Sequence, residues 1–523
     1  MTDPAGTAKS ALTRRATLTF LNNMLQQGAS VLTTFVVTPI VIAGLGVPIY
    51  GAWVMIQQTI GYLAMGDLRP MSTLKFALGV RQHDADDDEK RRLVGAAIRL
   101  WSFTVPVMLL IGAVLVFFTP SFIRVGPETA MAVRIAMGIA VLHLALDRLL
   151  SVPQNVLVGA NREYRGMGLN AISAVTAGVM TVIAIRAGFG IVGVASAAAI
   201  SAILYSAVRF YVMRNAVPWF GVGRASRKEF VDFTKLSGWF SLTVLANLLL
   251  SSSDILLLGI MFGPGVAAVY GTTSAVLRVA VGPLGAILES GYAGIADLCG
   301  RRDWQRLERV RTEMHLVGIM VMSVVGFGVI ALNRSFLQLW VKRDLFAGPV
   351  ANVLIVVMTL FALIYRADRV IAVSMMDFRS QAFIIAATSF AALAIGAGAA
   401  LVVGPPAIIA AVIAAHIAAI FYLQKLTRDG TGGAVPVRIT PYLRPLAVTG
   451  VLYAVAVAIE PYVRPRSWVQ LTAAGAVLAA VAFAVIVVAG FDRASRTILM
   501  TRLQQAMRSI GMRAKQGRGS TIP

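Results

Sequence analysis

The chain has 523 residues, of which 58% are hydrophobic and only 14% are charged. A soluble domain carries about 25% charged residues, so this composition excludes an ordinary soluble enzyme or binding domain. The mean hydropathy of +0.77 and the net charge of +23 describe a chain whose solvent is the bilayer. The apolar runs are roughly 20 residues long and do not alternate, so they predict membrane helices and not the strands of a barrel.

The first apolar segment follows a polar stretch that ends in Arg14 and Arg15, with no small-residue cleavage site close behind it. We expect it to be a retained transmembrane helix and not a removed signal peptide. Similar segments follow along the chain, which predicts an all-α polytopic membrane protein with about fourteen transmembrane helices. The predicted spans are residues 18–45, 48–78, 100–120, 129–157, 167–187, 190–213, 235–262, 264–295, 314–333, 349–374, 381–403, 404–425, 443–461 and 467–490.

The second and eighth predicted spans are long for a hydrocarbon core of ~30 Å. We therefore expect each of them to bend or to extend beyond the membrane. The candidate bending points are Gly61, Gly66 and Pro70 in the second span and Gly282, Pro283 and Gly285 in the eighth.

The distribution of basic residues predicts the orientation of the chain. With both termini cytoplasmic, roughly 34 Lys and Arg residues fall in inner segments and about 8 in outer segments, a strong positive-inside bias. We therefore expect a multi-pass inner-membrane protein with both termini in the cytoplasm. The basic residues are interpreted as anchors for anionic lipid, so membrane lipids are expected partners and nucleic acid is not.

The residues that commonly bind metals or cofactors are scarce. The chain has one cysteine, Cys299, and four histidines, and it lacks CxxC and HExxH patterns. We therefore expect no disulfide, no metal site and no cofactor.

An internal repeat relates two halves of the chain. Six helices separate matching segments, so both halves run in the same direction and form a parallel repeat about an axis along the membrane normal. The matches are spaced by roughly 214–220 residues. They are 46–51 with 263–271, 162–165 with 377–379, 188–193 with 404–406, and 202–205 with 419–422.

The repeat divides the chain into parts. We expect an N-lobe of six helices over residues 1–233, a C-lobe of six helices over 234–427, and two extra helices over 428–490. Residues 491–523 form a basic tail in which apolar residues recur at helical spacing and arginines occupy the other side. This pattern is typical of a helix on the cytoplasmic membrane surface.

Short motifs in both halves carry a resemblance to a known family. The segments Leu45-Gly-Val-Pro-Ile-Tyr-Gly-Ala-Trp53 and Gly61-Tyr-Leu-Ala-Met-Gly-Asp-Leu68 resemble the start of bacterial polysaccharide-biosynthesis flippases. The segment Asp254-Ile-Leu-Leu-Leu-Gly-Ile-Met-Phe-Gly263 resembles the seventh-helix pattern of the same superfamily, which includes multidrug exporters, oligosaccharidyl-lipid flippases and lipid II flippases.

The resemblance implies a transporter and not an enzyme, with two lobes around a central cleft that opens alternately to each side. It implies that the cargo is an undecaprenyl-diphosphate-linked oligosaccharide, such as a repeat unit of lipopolysaccharide O-antigen or exopolysaccharide. Fourteen helices favour the lipid-linked-glycan branches, because the drug exporters typically stop at twelve. Glycan polymerases and glycosyltransferases are candidate partners.

Charged residues inside the predicted spans are the candidate site. A charge at mid-bilayer costs roughly 2.5–3.5 kcal/mol on insertion scales, so each one calls for a partner or a function. A guanidinium presents a fork that suits phosphate, which favours a cationic cleft for a diphosphate head group. The candidates for substrate binding are Arg148, Arg278, Arg366, Arg369, Asp67 and Arg69. The candidates for ion coupling or ion pairing are Asp254, Glu289, Asp147 and Asp368.

Other interpretations remain open from the sequence. The same charges are also typical of internal ion pairs that fix helix packing. An ion-coupled small-molecule or drug exporter of the same superfamily would need a coupling acid in one lobe. A membrane-embedded glycan polymerase or ligase would need a large outer loop, whereas the longest outer segment, residues 334–348, has about 15 residues.

Overall fold

A computed structural model gives the structure of residues 4–80, 86–160, 162–290, 292–375, 378–493 and 496. Side chains are described from Asn22 onward, except at a few positions that include Glu289. In these ranges the main regular elements are α1 (Pro4–Leu45), α2 (Val47–Leu63), α3 (Pro70–Val80), α4 (Asp87–Ile123), α5 (Pro127–Leu150), α6 (Val152–Gly159), α7 (Leu169–Arg186), α8 (Gly190–Ala216), α9 (Arg227–Phe262), α10 (Pro264–Ser290), α11 (Tyr292–Gly300), α12 (Trp304–Val341), α13 (Pro349–Ser374), α14 (Phe378–Val403), α15 (Pro406–Gly430), α16 (Thr440–Ile459) and α17 (Trp468–Val485).

Thirteen helices within the described ranges are long and apolar enough to cross a membrane. The prediction of an all-α, multi-pass membrane protein is therefore confirmed. The remaining predicted span, the second, is divided between α2 with 17 residues and α3 with 11 residues. Neither piece alone reaches the ~20 residues that span a bilayer, although together they cover the predicted segment.

The break between α2 and α3 has a local cause. Leu68 and Arg69 have positive φ values of 57° and 47°, a left-handed conformation that ends a right-handed helix. Pro70 then begins α3, where its missing N–H leaves no intrahelical bond unmade. The predicted bend next to Pro70 is thus present as a complete interruption, and residues 64–69, which include Asp67 and Arg69, form a loop between the two helices.

The chain forms two compact units. Unit 1 contains the described parts of Met1–Thr273, Trp340–Ala347 and Phe378–Val412. Its helices pack in antiparallel neighbours along the chain, such as α4 with α5 and α7 with α8, and α9 packs along α14. At Gly51 of α2 the backbone of Pro264 comes so close that a Cβ would lie 2.5 Å from its carbonyl carbon and 3.2 Å from its Cα. Only glycine permits this contact between the starts of α2 and α10.

Unit 2 contains the described parts of Ser274–Leu339, Gly348–Asp377 and Ile413–Pro523. Its central element is α12, since 72% of the most apolar stretch of this helix is buried. The first of the two extra helices, α16, lies along α12 in the same direction. The Thr449 and Ser323 hydroxyls are 2.7 Å apart, and the Tyr453 hydroxyl donates to the Met322 carbonyl at 2.7 Å. These buried polar contacts fix α16 to the core of unit 2.

Backbone conformation supports the internal repeat. Gly46 precedes α2 with φ 78°, and its counterpart Gly263 precedes α10 with φ 93°. Gly188 and Gly404, at the junctions before α8 and α15, have φ values of 81° and 87°. Left-handed glycines at matching helix junctions indicate that the two halves turn in the same way at these points.

The division into lobes over residues 1–233 and 234–427 stays a prediction. The predicted surface helix of the tail lies outside the described residues, apart from residues 491–493 and 496.

Candidate functional site

Three predicted site residues lie together in unit 1, where the loop between α2 and α3 meets the end of α5. The Asp67 side chain is fully buried, and its Oδ2 lies 2.7 Å from Nε of Arg148. Its Oδ1 accepts a hydrogen bond of 2.8 Å from the backbone N–H of Arg69. The Arg148 side chain remains 17% exposed. We call these three residues the Asp67 cluster; its carboxylate is fully buried and its Arg148 side chain is partly exposed.

The local sequence explains how the Asp67 cluster is held. A bond from the Asp67 carboxylate to the backbone two residues on is the pattern of an Asx turn, which stabilises the loop before Pro70. Arg148 lies in the last turn of α5, where the partial negative charge of the helix end favours a cation. With two arginines and one aspartate, the cluster carries a net positive charge and can attract an anion.

Asp147 is next to Arg148 in sequence but belongs to a different group of contacts. It interacts electrostatically with His143, one turn earlier on α5, and with Arg209 of α8. The Arg209 Nη2 also donates to Asn170 Oδ1 at 2.6 Å. Adjacent residues of a helix point about 100° apart. Arg148 of α5 therefore meets the α2–α3 loop, whereas Asp147 interacts with α8.

Asp254 is a buried carboxylate in the C-terminal half of α9. Its side chain is only 4% exposed, and its Oδ2 accepts a hydrogen bond from the Tyr270 hydroxyl of α10. The neighbouring Ser253 hydroxyl lies 2.5 Å from the hydroxyl of Tyr62 on α2. The arrangement places a carboxylate and three hydroxyls in one apolar region. Tyr62 and Tyr270 were not among the predicted site residues.

Arg278 and Arg366 both lie in unit 2, and the side chain of each lies against α10. Arg278 of α10 donates from Nη1 to the hydroxyl of Ser274, one turn earlier. Arg366 extends from α13 across α10 at Gly285, with its Cζ 3.0 Å from the position of a Cβ on that glycine. The structure therefore brings both guanidiniums against α10.

Asp368 contacts partners that sequence reasoning missed. Its Oδ1 lies 3.1 Å from Nε2 of His315 on α12, and its Oδ2 accepts a hydrogen bond of 2.9 Å from Gln424 on α15. The His315 ring packs edge-on against Tyr442 of α16, with ring centroids 5.0 Å apart. Asp368 and His315 are 2% and 1% exposed, so this group of four side chains, the His315 cluster, ties four helices together.

Two predicted site residues, Arg369 and Glu289, are not placed in either cluster. Arg369 is half-buried on α13, and the side chain of Glu289 lies outside the described residues. The sequence offered one signal for the His315 cluster: His315 is one of only four histidines and lies at the start of the predicted span 314–333.

Comparison with solved structures defines the class of fold. The structure is similar to "Lipid II flippase MurJ, inward closed conformation", with a TM-score of 0.63 and 13% identity, over 91% of this chain and 98% of that chain. It is also similar to an inward-facing multidrug resistance MATE family transporter of the MOP superfamily, with a TM-score of 0.59 and 13% identity, over 79% of this chain and 98% of that chain. The chain thus has the fold shared by these membrane flippases and transporters.

The family follows from sequence comparison. The family model described as "Polysaccharide biosynthesis protein" matches residues 16–290, which is more than half of the chain. The chain therefore belongs to the polysaccharide biosynthesis protein family, as the motifs around Tyr50 and Gly61 indicated. No curated protein matches the chain.

Proposed function

We propose that the protein is a flippase that moves an undecaprenyl-diphosphate-linked oligosaccharide across the bacterial inner membrane. The observation that carries the proposal is the Asp67 cluster, which holds an accessible arginine in a membrane-embedded helix bundle by means of a buried aspartate. The family match and the likeness to a lipid II flippase support the same cargo class. The glycan is an O-antigen or exopolysaccharide repeat unit. Glycosyltransferases supply it, and a polymerase uses it.

The chemistry of the cargo fits the charges. A diphosphate cannot enter a low-dielectric region unless fixed positive charges replace its hydration. Arg148 meets Asp67 through Nε, and this contact orients the planar guanidinium for the charge-assisted hydrogen bonds that phosphate accepts. Arg278, Arg366 and Arg369 supply further charge in the C-lobe. The polyprenyl tail stays in lipid while the head group passes between the lobes by alternating access.

Loss of the protein is expected to trap the lipid-linked glycan. In a host that lacks it, undecaprenyl-diphosphate oligosaccharide should accumulate on the cytoplasmic face and the surface glycan should disappear. Wild type should reverse both effects, whereas Arg278→Ala and Arg366→Ala should reduce export by about 10–100-fold, because a hydrogen bond to a charged group contributes about 1.5–3 kcal/mol. Arg464→Ala, at an exposed position between α16 and α17, is the matched control.

An unchanged glycan pool and surface in that host would refute the flippase proposal. The alternative is then an ion-coupled exporter of small molecules, which the likeness to MATE transporters and the buried Asp254–Tyr270 contact favour. Dye or drug efflux that depends on Asp254 would identify that function. A glycan polymerase or ligase, the least favoured alternative, would leave flipped but unjoined repeat units when the protein is absent.

The proposed orientation can be tested at the single cysteine of the chain. Cys299 lies half-buried in α11, in a segment that should face the cytoplasm, and burial raises the pKa of its thiol. A membrane-impermeant maleimide should leave Cys299 unlabelled in intact cells and should label it in inside-out vesicles. Since only the thiolate reacts, labelling should accelerate as the pH rises.

Cys299→Ser provides the background for the opposite face. Arg464→Cys in that background should be labelled in intact cells, because Arg464 is exposed and should lie outside. Labelling of Cys299 in intact cells would show that α11 faces outward and that the proposed orientation is inverted.

A further inference from the structure

We propose that Gly285 is a positioning residue for phosphate recognition: its missing side chain creates the space in which α10 seats the guanidinium of Arg366. This inference rests on the proposed function, since it assigns a role to the site of the same cargo. It goes beyond that function in stating what holds Arg366 in place and how cargo binding can be lost without losing the arginine.

The contact between the two residues is direct. A Cβ built on Gly285 would overlap Nη1 of Arg366 and would lie 3.0 Å from its Cζ and 3.4 Å from its Cδ. The outer part of the arginine side chain therefore occupies the space that a side chain at position 285 would fill. An alanine at position 285 cannot coexist with Arg366 in this position.

A left-handed backbone does not explain the glycine at this point of α10. Its φ is not in the left-handed range, because it is absent from the glycines with positive φ. A glycine inside a helix costs roughly 0.5–1 kcal/mol relative to alanine. The close approach of Arg366 explains why position 285 is glycine.

Arg278 lies on the same face of α10. Residues 274, 278 and 285 are separated by 4 and 7 positions, so they fall within about 40° of one another around the helix. The Arg278 guanidinium is held at Ser274 and the Arg366 guanidinium at Gly285. Eleven residues at 1.5 Å each place these two levels about 16 Å apart along the helix. One face of α10 thus carries two guanidiniums at different levels of the helix. Gly285 sets the position of the Arg366 guanidinium, which is to bind a phosphate-bearing head group.

The experiment compares two glycines of the same helix. Gly285→Ala and Gly285→Val should lower glycan export by about tenfold and by more than tenfold, while the unfolding temperature in detergent stays the same or rises with alanine. The flexible tip of Arg366 moves away, so folding is preserved and recognition is lost. Gly265→Ala and Gly265→Val are the matched controls, because a Cβ at Gly265 meets nothing within 4 Å.

A double-mutant cycle tests whether the effect passes through Arg366. Lysine keeps the charge but lacks the terminal nitrogen that meets Gly285, so Gly285→Ala should change export less than about twofold in an Arg366→Lys background. An undiminished loss in that background, or a parallel loss of thermal stability, would overturn the positioning role. Normal export by Gly285→Ala beside failure of Arg366→Ala overturns this inference alone. Normal export by Arg366→Ala instead removes Arg366 from the proposed function.

Discussion

Arg148→Ala is expected to destabilise the folded protein by about 3 kcal/mol and to stop glycan export. The substitution removes the guanidinium that lies 2.7 Å from a fully buried carboxylate. Asp67 then keeps its hydrogen bond from the Arg69 backbone and its electrostatic interaction with the Arg69 side chain, but it loses the cation that contacts its carboxylate. Breaking a buried pair on one side is costly because the remaining charge loses its closest partner, and the α2–α3 loop depends on that charge.

The two roles of Arg148 can be separated by removing both charges. Arg148→Gln combined with Asp67→Asn leaves a neutral pair that can still form hydrogen bonds. We expect this double variant to recover stability to within about 1 kcal/mol of wild type. Export should not recover, because the Arg148 guanidinium that would bind the diphosphate is absent and Arg69 is the cation that remains in the cluster. Unfolding temperature in detergent and surface glycan of complemented cells are the two measurements, and Arg464→Ala is the control for both.

Recovery of export together with stability in the double variant would make the pair purely structural. The cationic site would then have to lie elsewhere, and Arg278 and Arg366 of unit 2 would become the leading candidates. Wild-type stability and export in Arg148→Ala would remove the Asp67 cluster from the mechanism altogether.

The fold was accessible from the sequence because its main determinants are local. Runs of apolar residues predicted the membrane helices, and Pro70 and Gly66 predicted the interruption that separates α2 from α3. Glycines at helix junctions indicated the repeat, since a left-handed turn there needs glycine at Gly46 and Gly263 alike. The short helix α11 between α10 and α12 was not predicted, because its nine residues carry no apolar run long enough to distinguish it from a loop.

The candidate site was only partly accessible, because its contacts join distant parts of the chain. Asp67 and Arg148 were each recognised as unusual charges in a membrane, yet 80 residues separate them and nothing local pairs them. Asp368 shows the opposite difficulty. Its neighbours in sequence, Arg366 and Arg369, suggested an ion pair, but residues two apart on a helix point about 200° from each other. Asp368 instead meets His315, on a different helix.

The second large effect is expected at Asp368. Asp368→Ala should destabilise the protein by about 2–5 kcal/mol, because it removes the carboxylate beside the buried His315 imidazole and the acceptor of the Gln424 amide. The loss should weaken the attachment of α16 as well, since Tyr442 of that helix packs on the His315 ring. Thermal unfolding in detergent measures the effect, and Asp344→Ala, at an exposed position, is the control.

Asp368→Asn distinguishes a structural role from proton coupling. Asparagine keeps an oxygen that can accept from Gln424 and a volume close to that of aspartate, so the variant should remain folded. If the His315 cluster serves packing, export should follow the amount of folded protein and remain near wild type. A folded Asp368→Asn protein that fails to export would contradict the packing role. It would assign the His315–Asp368 pair to the coupling step, because the variant differs from wild type chiefly in a carboxylate that can take up and release a proton.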